Sequence, residues 1–129
     1  DLKKCSQEYI SYVLIHEVAH AAMDVNVIEW DSTNTQHENM IIKYLDKIIN
    51  SLQNAFPNMS YIDACSICYY SFNNAIDGVT PNLIFMEMML KRLNLNLLNQ
   101  NSSTVTVNQL ILQGKRYCDD GDLGDRICN

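Results

Sequence analysis

Four glycines and two prolines punctuate a chain of 129 residues. A turn-rich β-sandwich needs such residues at nearly every reversal, so their scarcity points to a few long helices. Hydrophobic residues make up 47% of the chain, which is enough for one globular core.

Apolar spacing places the helices. A first helix is expected from about Ser6 to Val25, with Ser6 as N-cap and an apolar stripe of Ile10, Val13, Leu14, Val18 and Ala21. A second starts near Thr35, where "TQHE" reads as a capping box between Thr35 and Glu38. It continues through Met40, Ile41, Tyr44, Leu45, Ile48, Ile49 and Leu52, and Phe56 and Pro57 end it. Ser60 opens a third, with Asp63 three residues on, reaching about Ile76 before Gly78. Thr80 and Pro81 open a fourth. In "VTVNQLILQGKRY", Val105 and Val107 suggest a strand, but the Leu110–Leu112 run favours a short helix. The expected fold is mainly α, a compact bundle of four to five helices in a single domain over 1–129. That domain is open to being the C-terminal part of a longer chain.

Several function classes are disfavoured. A formal charge of -6 repels phosphate backbones, so no direct nucleic-acid partner is expected. No apolar run reaches membrane-spanning length. The chain begins at Asp1, which reads as a processed or trimmed start and leaves the compartment undecided. Of the five cysteines, Cys118 and Cys128 lie in a short Gly/Asp-containing stretch and are either a disulfide or buried thiols. The bridge slightly favours an extracellular or periplasmic setting over the cytoplasm.

The chemistry concentrates in "IHEVAH", residues 15–20. His16 and His20 are four apart, so on a helix they project from one face and reach one zinc ion. Glu17 lies toward the open side of that ion, where it can act as general base on zinc-bound water. A third ligand is needed. His37, the one remaining histidine, sits in the first turn of the second helix and is the favoured choice. Glu29, Asp31, Asp24 and Glu38 are rivals; Asp24 better suits a supporting carboxylate and Glu38 a cap.

With these residues, the chain resembles the zincin metallopeptidases. Metzincins place Gly and a third His where this chain has Met23 and Asn26. Thermolysin-like enzymes take a Glu in an Asn-Glu context that neither Glu29 nor Glu38 has. The pattern looks most like SprT-like metallopeptidases, with His16, Glu17, His20 and His37 matching over roughly residues 6–50. Glu38 departs from the Gly usual after the third histidine. The resemblance implies a zinc-dependent metallopeptidase acting on a protein or peptide substrate, with Glu17 catalytic. It also implies a β-sheet before the active-site helix, so this fold is reduced or lacks that sheet. The alternative is a non-catalytic zinc-binding or protein-interaction domain.

Other features carry less. Cys65 and Cys68 form C-x-x-C inside a helix, not at the N-terminus that redox use requires. Tyr61, Tyr69 and Tyr70 are candidate oxyanion stabilisers, though core or surface roles are commoner. Met86, Met88 and Met89 suit core packing. "DDGDLGD" lacks the spacing of a calcium loop. Nothing in the sequence sets the oligomeric state.

Overall fold

The computed structural model describes residues 5–25, 37–75 and 80–120. They form five α-helices: α1 (Gln7–Val25), α2 (Leu45–Ala55), α3 (Tyr61–Ala75), α4 (Thr80–Asn99) and α5 (Val107–Lys115). Two π-helical segments, Met40–Tyr44 and Arg116–Asp120, adjoin α2 and α5. There is no β-strand among the described residues, and the mainly helical bundle is as expected.

α3 is the centre of the bundle. Residues 64–70 are all buried, as is Phe72; a helix buried on every side has neighbours on every side. Ser60 caps it as expected, its Oγ accepting from the Asp63 amide at 3.1 Å. Asp63 then ties it to the chain's far end: Gln113 donates to one carboxylate oxygen at 2.7 Å and Tyr117 to the other at 2.9 Å. α3 also receives α5 at close range, because a Cβ on Gly114 would overlap the Ser66 carbonyl oxygen and the Tyr70 Cβ. The expected third-helix end at Ile76 and Gly78 lies outside the described residues.

α4 packs through Met86, Met89, Leu93 and Leu97, a 3–4 spaced stripe that is buried, while Met88 is exposed. It ends in a Schellman arrangement. Asn101 adopts φ 58°, its amide donates to the Leu98 carbonyl at 3.0 Å, and the Ser102 amide donates to Leu97 at 2.9 Å. The segment that read ambiguously is helical from Val107, entered by a capping box between Thr106 and Gln109. Val105 belongs to no strand. Its backbone N–H and C=O are both taken by the Asn94 side chain, at 2.8 and 3.0 Å.

Two expectations change. In α1, Ser6 does cap, accepting from the Tyr9 amide at 3.1 Å, but the buried face is not the proposed stripe. Tyr12, His16, Ala19 and Met23 face the core, whereas Leu14 and Val18 are 64% and 68% exposed. Tyr12 and His16 can occupy the core because each satisfies the other's polar atom, as described below. The second helix is not uniform either. His37 is buried before the π segment, Met40 and Ile41 at its start, and Leu45, Ile48, Ile49 and Leu52 after it. A continuous α-helix would carry the first set on to 44, 47, 48 and 51. The π segment's i→i+5 bonding absorbs one extra residue and returns the face to the core. Thr35, the expected partner of Glu38 in a capping box, lies outside the described residues.

Candidate metal centre

α1 delivers two histidines to one spot because they are four residues apart. The helix entering the π segment delivers the third. His16 Nε2 lies 3.1 Å from His20 Nε2 and 3.0 Å from His37 Nε2. One ligand nitrogen from each ring lies within 4.8 Å of the others, so the three could hold a metal ion. His16 and His37 are 9% and 5% exposed, and His20 is half-buried.

This geometry fits a cation better than a hydrogen-bonded trio. A neutral imidazole nitrogen either donates one proton or accepts with one lone pair. His16 Nε2 has two nitrogens at contact distance and can bond well to one. A shared cation satisfies all three lone pairs. At Zn–N distances of about 2.0–2.1 Å, tetrahedral ligands sit roughly 3.3–3.4 Å apart, close to the two spacings measured from His16. Electrostatics favours the same state. Burial, helped by the neighbouring His37 and His20, pulls His16 down to about 4. Burial, then His20, does the same to His37, also to about 4. Both rings are therefore neutral at pH 7, with lone pairs available.

The surroundings hold the rings. Phe72, from α3, packs against His16 and His37 with centroids 5.4 and 6.0 Å away. Tyr12, one turn before His16, places its hydroxyl 3.0 Å from His16 Nδ1. Burial, with smaller pushes from Cys68, Tyr9 and Cys118, keeps the Tyr12 phenol well above its usual range. It therefore remains protonated, able to donate and accept. His37 Nδ1 is buried with no hydrogen-bond partner among the described residues.

Glu17 is exposed on α1 beside the two buried or half-buried rings. Glu38 is half-buried and outside the cluster. The rival ligands Glu29, Asp31 and the Asp24 side chain lie outside the described residues. Two of the candidate oxyanion tyrosines are occupied elsewhere, and the third is buried. The Tyr61 hydroxyl accepts from Asn96 at 2.8 Å, Tyr70 donates to Asp119, and Tyr69 is buried. Cys5, Cys65, Cys68 and Cys118 are buried thiols. The proposed partner of Cys118, Cys128, lies outside the described residues. Burial pushes Cys65 up to about 12 and raises Cys68 well above its normal range, which argues against thiolate chemistry at this C-x-x-C.

Sequence reasoning missed Tyr12 and Phe72. Tyr12 had a signal, the spacing Y-x3-H-x3-H along one helix face. Phe72 had none, since its approach depends on how α3 crosses α1. No protein-family model, curated protein or solved structure matches this chain, so the functional reading rests on side-chain geometry and the motif.

Proposed function

We propose that this chain is a zincin-like, zinc-dependent metallopeptidase whose metal is held by His16, His20 and His37. The convergence of the His20 and His37 Nε2 atoms on His16 Nε2, with one ligand nitrogen of each ring within 4.8 Å of the others, carries the reading. A three-histidine set with neutral rings suits zinc in a site with one position left for substrate or water. When bound, such a metal supplies Lewis acidity, polarising a peptide carbonyl and making water easier to deprotonate.

Glu17 does the proton work. It follows His16 directly, and its carboxylate is exposed, so water and substrate can reach it. It takes a proton from the attacking water and returns it to the nitrogen of the leaving amine. Its partners hold still: His16 and His37 are packed against Phe72, which limits the side-chain freedom lost when the site assembles.

A second reading, a zinc-binding domain without catalysis, is favoured by one observation. No strand exists among the described residues, so none of them offers the sheet edge along which an extended peptide is usually captured.

One experiment separates these readings. The chain is purified without added metal or a histidine tag, and zinc is measured by elemental analysis in the parent, His37→Ala and Glu17→Gln. The enzyme reading expects about one zinc per chain in the parent and Glu17→Gln and far less in His37→Ala. It also expects peptide hydrolysis that Glu17→Gln abolishes. Zinc in the parent, with no hydrolysis of a diverse peptide mixture, selects the non-catalytic reading. No metal uptake even when zinc is offered would sink both.

A further inference from the structure

We propose that Tyr12 is a positioning residue for the metal centre, fixing the tautomer and orientation of His16 through its hydroxyl. The inference rests on the three-histidine reading and adds to it.

Ligation through Nε2 leaves the imidazole proton on Nδ1. His16 Nδ1 faces the Tyr12 oxygen at 3.0 Å, so in the metal-holding state His16 Nδ1–H donates and Tyr12 accepts. A histidine ligand usually meets a carboxylate, a backbone carbonyl or water at this position. Here a neutral phenol fills it, in a place where a carboxylate would add a buried charge.

Tyr12 is itself held firmly. It is fully buried, stacked on Tyr9 with centroids 6.3 Å apart and set edge-on to Phe72 at 6.5 Å. Phe72 also packs on His16, so phenol and imidazole share one wall. The i, i+4 spacing places the Tyr12 hydroxyl over the next turn of the same helix, where His16 stands. The assignment also accounts for a phenol and an imidazole on the core face of α1 while Leu14 and Val18 face solvent. The contrast with His37 is direct. Its Nδ1 has no partner among the described residues, so of these two buried rings His16 is the one whose tautomer the described structure fixes.

The test uses the full chain and zinc alone as the probe. Zinc dissociation constants are measured by competition with a chromophoric chelator for the parent, Tyr12→Phe and Tyr9→Phe. Tyr12→Phe removes one oxygen and keeps the ring. It should weaken zinc binding by about 10–100-fold, while Tyr9→Phe, which touches no histidine nitrogen, leaves it unchanged. The cobalt(II)-loaded absorption spectrum should shift in Tyr12→Phe and stay at the parent's in Tyr9→Phe. A further readout needs no variant. In the zinc-loaded parent, labelled-histidine NMR should find a His16 Nδ1–H that exchanges slowly with solvent and lies close to the Tyr12 ring. Zinc binding by the parent with equal affinity in Tyr12→Phe, or a His16 Nδ1–H that exchanges freely, would overturn the Tyr12 role and leave the metal site standing. No zinc binding by the parent would overturn the metal site and this role together.

Discussion

Phe72 shows how much of this site is ordinary packing. It reacts with nothing, yet its ring touches Tyr12, His16 and His37 and is fully buried. Phe72→Ala should therefore cost about 3–5 kcal/mol of stability, read by urea denaturation of the metal-free protein. A loss under about 1 kcal/mol would mean that the rings do not rely on this wall. At this scale the sequence was partly legible. His16, His20 and His37 were readable because two share a helix face and the third is the one histidine left. Tyr12 was readable in principle from its place four residues before His16. Phe72 was not, because 56 positions of chain separate it from His16 and no local periodicity encodes which residue of α3 meets α1. The misjudged stripe of α1 has the same root. Apolar side chains lie on several sides of that helix, so hydrophobicity alone does not choose its core face.

The elements make sharper predictions. The helix carrying His37 changes phase by one residue at Met40–Tyr44, so that segment holds one residue more than an α-helix needs. Ile42 is exposed there. Deleting Ile42 brings Leu45, Ile48, Ile49 and Leu52 into phase with His37, Met40 and Ile41 in a continuous α-helix. The variant should fold, losing an ordinary 0.5–3 kcal/mol, roughly. Deleting Lys47, exposed within α2, gives no such relief and rotates Ile48, Ile49 and Leu52 away from the core. It should cost more than about 4 kcal/mol. Equal losses in urea denaturation of the two would count against the phase argument. The adjacent pair Tyr44–Leu45 was the trace of this shift in the sequence, since a strict 3.6 repeat has no need of both. Gly114 supplies the complementary case. A helix-interior glycine is normally improved by alanine by up to about 1 kcal/mol. Here Gly114→Ala should instead destabilise by about 1–3 kcal/mol, because its Cβ would meet α3 backbone that cannot step aside. A higher melting temperature in Gly114→Ala would mean that α5 and α3 are not in such close approach.

On the scale of the molecule, the three histidines link two pieces of chain that are 17 residues apart between His20 and His37. Metal binding favours only states in which α1 and the helix bearing His37 are brought together, so it must appear as global stability. At free zinc 100-fold above the dissociation constant, the folded state gains about 2.7 kcal/mol. For a chain of this length that is a rise in melting temperature on the order of 10 °C. Excess chelator should return the parent to its metal-free value. His37→Ala should melt at one temperature with or without zinc, because two imidazoles on one helix hold the ion weakly and bridge nothing. The comparison also separates specific binding from a general effect of cations on an acidic chain. With a formal charge of -6, added divalent ions can raise stability by relieving self-repulsion alone. Such a rise would appear equally in His37→Ala and with magnesium, which prefers oxygen ligands. A rise confined to zinc and to the parent means that the histidines act as one centre and that folding and metal binding are a single equilibrium.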